Sequence, residues 1–224
     1  MTSSNQKLRG SNFINGVEWL IHDSPVSYEA SIRLMEKRIA DIRAGHASEL
    51  VWLLEHPSLY TAGSSADPKE LIAPNRFPVF ESGRGGRYTY HGPGQRVAYV
   101  MLNLKKRNEN VKSYVNKLEK WIMVALSQFN IVAERRTGRI GIWIQQGQNR
   151  QEEVKIASIG VRIRHWITYH GFSINVDPNL EHFSGIIPCG ISNYGVTSFW
   201  QLGVTATIPE VDAALISAFN DTFD

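Results

Sequence analysis

Three amphipathic helical periods interrupt a series of short apolar runs at irregular intervals, and no regular alternation of strand and helix fits them. Residues 28–44 place Ala30, Leu34, Met35, Ile39 and Ile42 on one stripe, with Gly45 positioned to stop the helix. Residues 111–129 repeat Val111, Tyr114, Val115, Leu118, Ile122, Ala125 and Phe129 at spacings of three and four. Residues 209–219 follow Thr207 and Glu210, which have capping-box spacing. Shorter helical turns are expected at 68–72, capped by Asp67, and at 198–202, ended by Gly203. Residues 49–54, 97–104, 141–144, 154–159, 161–168 and 172–176 read as strands. Successive short runs imply antiparallel pairing. The pattern therefore predicts an α+β fold, a central mixed, largely antiparallel sheet flanked by helices. The polar stretch 145–153 reads as a hairpin loop and not as a boundary. One domain is expected over residues 1–224, with 1–15 as a flexible N-terminus.

Composition narrows the function classes. The chain has one cysteine in 224 residues, which excludes an intrachain disulfide and a cysteine-based zinc cluster, and suits a reducing compartment. A net charge of +3 is too mild to name a partner. No apolar stretch approaches the roughly 18 residues of a membrane span. The N-terminus MTSSNQKLRGSN lacks the apolar core of a secretory signal. A soluble, cytoplasmic protein is expected, without membrane or nucleic-acid partners.

The densest chemical signal is residues 82–95, SGRGGRYTYHGPGQ, with five glycines, two arginines and His91. Such a loop can bring backbone N–H groups close to a carbonyl or oxyanion, or can be no more than a tight turn. It lacks the third glycine of a dinucleotide fingerprint, and no phosphate-loop lysine follows. The lone Cys189 sits between Pro188 and Gly190. A lone cysteine is usually a small buried hydrophobe, but these flanks place it in a loop, where a lowered pKa would make it a nucleophile. Lys155 opens an apolar strand-like run. It is either a solvent-face residue or a partly desolvated base able to exchange a proton with a thiol. His91 and His56 are rival bases. His165 and His170, five apart in a run read as extended, point to opposite faces, and no metal site is expected.

Four segments in order resemble one family closely: LLEHPSLYTAG at 53–63, GRGGRYTYHGPGQRVAYVMLNL at 83–104, KIASIGVRIRHWITYHGFSINVD at 155–177, and FSGIIPCGI with GVTS at 183–198. They are similar to the lipoyl(octanoyl) transferases, also called lipoate-protein ligase B. The resemblance implies the biotin/lipoate ligase catalytic fold. It implies transfer of an octanoyl group from the phosphopantetheine thioester of an acyl carrier protein to a lysine amine. The acceptors would be lipoyl domains of 2-oxoacid dehydrogenase E2 subunits and the glycine-cleavage H protein. By the same resemblance Cys189 carries the acyl group and Lys155 lowers its pKa. Substrate contacts map onto Arg84, Gly85, Gly86, Arg87, Tyr88, Thr89, Tyr90 and His91, onto Ser158, Ile159 and Gly160, and onto Gly171, Phe172 and Ser173.

Physical chemistry is consistent with that assignment. Thioester-to-thiol exchange is nearly balanced, and the acyl-enzyme keeps the activation needed to form an amide, so no ATP and no cofactor are expected. Backbone N–H groups near Gly190 or Gly160 are candidates for the oxyanion. Tyr88, Tyr90 and Phe172 are candidates to line an acyl groove, and Arg84, Arg87 or residues 105–107 to steer an acidic carrier. A monomer is expected. Two rival readings remain. One is an ATP-dependent lipoate- or biotin-protein ligase. The other is a non-catalytic binder of acylated carriers or nucleic acid through residues 84–91 and 162–170.

Overall fold

Residues 50–54 and 97–102 have no polar face at all, which only a sheet covered on both sides can satisfy. The computed structural model describes residues 8–147, 152–187 and 194–223. The chain runs β1 (Leu8–Ile14), β2 (Val17–His22), α1 (Tyr28–Ala44), β3 (Leu50–Leu54), β4 (Leu59–Ala62), β5 (Val79–Glu81), β6 (Thr89–His91) and β7 (Gln95–Met101). It continues through α2 (Val111–Ser127), β8 (Glu134–Arg136), β9 (Arg139–Gln146), β10 (Glu152–Arg164), β11 (Ile167–Asn175), β12 (Gly195–Val196) and α3 (Ile208–Phe223).

The main sheet has the order β1-β2-β3-β7-β11-β10-β9-β8, with β12 added to β10. Its pairings are antiparallel except β2 with β3 and β12 with β10. The central strands β3 and β7 divide their side chains by the pleat. Val51, Leu53, Ala98 and Val100 enter the core shared with α2 and α3, while Leu50, Trp52, Leu54, Val97, Tyr99 and Met101 enter the core shared with α1. A small sheet, β5-β4-β6, closes over a third cluster around Tyr60, Tyr90 and Phe183. This is the α+β arrangement the sequence predicts.

The helix ends follow the expected chemistry. Ser27 caps α1 by accepting from the Ala30 N–H, and Gly45 ends it at φ 77°. Thr207 and Glu210 cap α3 reciprocally. Asp67 caps a short 3-10 helix at Pro68–Glu70, and Gly203 ends another at Trp200–Leu202. Among the described residues no helix is long and apolar enough to cross a membrane.

Two readings change. Residues 154–159 and 161–164 belong to one strand, β10, the chain reverses at His165 and Trp166, both at positive φ, and 167–168 open β11. His165 and His170 therefore do not share an extended run. The N-terminal stretch, expected to be flexible to residue 15, contributes β1 from Leu8.

Candidate active site

The site lies where β10 and β11 carry small side chains on the α1 side of the sheet. Ser158 pairs with Ser173 and Gly160 with Gly171, and these residues share a face. Their neighbours Ile159 and Phe172 belong to the opposite core, where the Phe172 ring packs edge-on to Trp121 at 5.0 Å. A strand pair that is small on one face and bulky on the other leaves room above the small face.

Residues 84–87 cover that room. The loop is pinned from both sides: Gly63, Ser64 and Ser65 donate to the carbonyls of Arg87, Arg84 and Gly86, and the Gly85 N–H donates to the Val161 carbonyl at 2.9 Å. Arg84 is buried and donates to Thr61 and to the Arg87 carbonyl. Its side chain lies so close to Gly160 that a Cβ there would come within 2.8 Å of Arg84 Cδ, so only glycine fits beneath it.

Two cavities result. One of about 50 Å³ is lined by Arg84, Gly86, Arg87, Tyr88, Thr89, His91, Ser158, Ile159, Gly160, Gly171, Phe172 and Ser173. Tyr28, Val97 and Tyr99, which the sequence does not single out, and His170, weighed there as a metal ligand, complete it. The other, of about 300 Å³, shares Gly86, Arg87, Ile159 and Gly160 and adds Gly85 and Lys155. Tyr90 lines neither. It is buried in the small-sheet cluster, with its hydroxyl on Ser58 and His182.

Lys155 is 5% exposed. Its ammonium donates to the Ile140 carbonyl at 3.1 Å and sits 4.6 Å from the Trp143 ring centroid. An irregularity in the β9–β10 register between Lys155 and Ala157 re-aims the strand at this point. Gly141, at φ 121°, makes way for the lysine: a Cβ there would meet Lys155 Nζ at 3.3 Å and the Ala157 carbonyl at 2.8 Å. Cys189 and Gly190 lie outside the described residues. The described chain leaves at Ile187, whose N–H donates to the Glu70 carbonyl. It returns at Tyr194, which stacks edge-on against Trp143, and Val196 then pairs with Lys155.

Three buried histidines, His56, His91 and His170, are held neutral. Burial pushes His56 down to about 4 and His91 and His170 down to about 3, with the Arg84 charge adding to the effect at His91 and His170. Both His56 ring nitrogens are engaged, Nδ1 with the Val26 carbonyl and Nε2 with the Tyr99 hydroxyl. His91 Nδ1 meets Gln95 Oε1, while the Gln95 amide donates to Asn175, which donates to the Thr197 carbonyl. The Thr197 N–H donates in turn to the Lys155 carbonyl. His170, at φ 62°, leaves the strand alternation and turns its ring towards Tyr99 and Tyr169. Among the described residues no cluster of metal-ligating side chains occurs.

Comparison with known proteins gives this geometry its setting. Residues 27–220 match the lipoyl protein ligase A/B catalytic domain. An octanoyltransferase of Paramagnetospirillum magneticum is 60% identical over 92% of this chain and 97% of its own length. One of Rhodospirillum rubrum is 58% identical over 92% and 95%. The chain belongs to the octanoyltransferase family. It is a transferase of the lipoyl protein ligase A/B catalytic class. Solved structures place the fold beside two ligases. A lipoate-protein ligase A bound with ATP superposes with a TM-score of 0.67 over 89% of this chain and 83% of that one, at 15% identity. The biotin protein ligase of Aquifex aeolicus gives 0.59 over 94% and 71%, also at 15% identity.

Proposed function

We propose that this chain moves an octanoyl group from the phosphopantetheine thioester of an acyl carrier protein to a lysine amine of a lipoyl domain, through a thioester on Cys189. The observation that carries the reading is Lys155. It is a buried lysine opening on a cavity shared with the 85–87 loop and Gly160, on a strand with which the chain pairs again from Gly195, six residues after Cys189.

Lys155 takes the proton of the Cys189 thiol. The thiolate attacks the acyl carbonyl, the carbon–sulfur bond to pantetheine breaks, and Lys155 returns the proton to the leaving thiol. The incoming lysine amine then attacks the acyl-cysteine carbonyl. The carbon–nitrogen bond forms, the bond to Cys189 breaks, and the amine's proton returns the cysteine to its thiol. Each activated carbonyl arrives as a thioester, so the sequence needs neither ATP nor a cofactor. The buried Arg84 fixes the covering loop, and the small side chains of the Ser158, Gly160, Gly171 and Ser173 face form the floor against which the acyl chain starts.

The fold's likeness to an ATP-bound ligase supports one alternative, activation of a free acid as an adenylate. Incubation with octanoyl carrier protein and a lipoyl domain, without ATP, separates the two. The proposed route adds one octanoyl group to the domain. Transfer only from free octanoate and only with ATP would overturn it.

A further inference from the structure

Most arginines of this protein are committed: Arg38 to Glu18, Arg76 to Glu181, Arg96 to Asp212, Arg107 to Glu49. Two that the sequence offers for steering a partner are equally engaged, Arg84 beneath its loop and Arg87 on Glu70. Arg43, Arg162 and Arg164 are different. All three are exposed, and among the described residues none forms an ion pair. They line one groove of about 400 Å³ between α1 and the β10–β11 hairpin, with Tyr169 on its floor and Glu36 as a carboxylate on its wall. Three guanidiniums against the single Glu36 carboxylate leave the groove with an excess of positive charge, which an anionic guest would neutralise.

The hairpin tip adds a second observation. His165 and Trp166 form a two-residue turn at φ 54° and 64°, where Asn and Gly are the favoured residues. Trp166 is nevertheless 52% exposed and is held by the Leu104 N–H donating to its carbonyl. A large aromatic kept on a strained turn beside unpaired arginines has the composition of an interface hot spot. A third observation is continuity with the site. Arg162 and Tyr169 are the next same-face pair after Gly160 and Gly171, roughly 7 Å along the strands. Arg162 also lies against Gly83, where a Cβ would come within 2.0 Å of its guanidinium.

We propose that this groove and the Trp166 turn dock the carrier protein that delivers the acyl thioester, receiving its acidic face and the phosphodiester that joins carrier to arm. The inference rests on the reading that the donor is an acyl-phosphopantetheine carrier. Charge selects donor over acceptor: the phosphodiester is anionic at every working pH, whereas the acceptor presents an ammonium that three guanidiniums repel.

The test is single-turnover acylation of the full-length protein by two donors, octanoyl carrier protein and octanoyl-pantetheine, the second lacking both phosphodiester and protein. Arg43→Glu with Arg164→Glu slows acylation by the carrier about tenfold or more at low salt and flattens its salt dependence. Acylation by octanoyl-pantetheine is unchanged, and Trp166→Ala follows the same split. Wild-type rates with the carrier, or equal losses with both donors, would overturn the proposal. So would a defect confined to transfer from preformed acyl-enzyme to the lipoyl domain, which would assign the groove to the acceptor. A wild-type protein acylated by neither donor would instead refute the functional reading itself.

Discussion

At Lys155 the backbone and the side chain are set by separate devices. The shifted register of β9 and β10 aims the residue, and the missing side chain of Gly141 admits it. The proposed function puts this cation at the Cys189 thiol, where it favours the thiolate. Lys155→Ala therefore raises the apparent pKa of Cys189 by about 1 unit or more, read from the pH dependence of iodoacetamide alkylation. An unchanged profile would remove Lys155 from the role. The buried histidines make a separate prediction. Their folded values, about 4 for His56 and about 3 for His91 and His170, lie below the ordinary 6.5. Between those values and 6.5 the unfolded chain binds more protons, so stability rises with pH across that window and is complete above it. Urea unfolding at pH 5 falls below that at pH 7 by roughly 1–2 kcal/mol for each histidine, and His91→Gln lessens the difference. Equal stability at the two values would contradict the buried, neutral state. Residue chemistry was legible in the sequence where glycines, arginines and a lysine fell in distinctive strings. Tyr90 was not, because a place in the groove depends on which side of the sheet a ring faces, and Tyr90 lines neither cavity while Phe172 lines one. Gly160 and Ser158 gave that away only once β10 was paired with β11.

Helix α3 is tied to the sheet by one buried ion pair. Arg96 of β7 meets Asp212 through two hydrogen bonds of 2.6 Å, with side chains 1% and 3% exposed, and donates a third to the His22 carbonyl. Removing one partner leaves the other charged and desolvated. Asp212→Ala costs about 3–5 kcal/mol in urea unfolding, and an apolar pair at both positions restores much of it. A loss below about 1 kcal/mol would show that the pair is solvated in solution. The three helices were legible because their apolar stripes run over four turns and their caps obey simple chemistry. The edge and small-sheet strands β1, β2, β4, β5, β6, β8 and β12 were not. Most are short and several are only half buried, and β4, β5, β6 and β12 pair with strands that are not their immediate neighbours across a tight turn. The division of β10 into two runs has the same origin: Gly160 looks like a break, but it is the place where Arg84 crosses the strand.

Across the whole molecule, one sheet face and one loop produce the site, and a chain of hydrogen bonds from His91 through Gln95, Asn175 and Thr197 reaches the backbone of Lys155. Along β10 the larger cavity reaches Lys155, the smaller one Ser158 to Gly160, and the arginine groove Arg162 and Arg164. That order is a property of topology, which a linear reading could assign only by resemblance. Cys189, on which the proposed chemistry turns, lies outside the described residues, so the decisive evidence is chemical. Intact-protein mass spectrometry after incubation with octanoyl carrier protein should show one octanoyl adduct that hydroxylamine removes, and Cys189→Ser should not acquire it. The same hydroxylamine-labile adduct on Cys189→Ser would contradict the account.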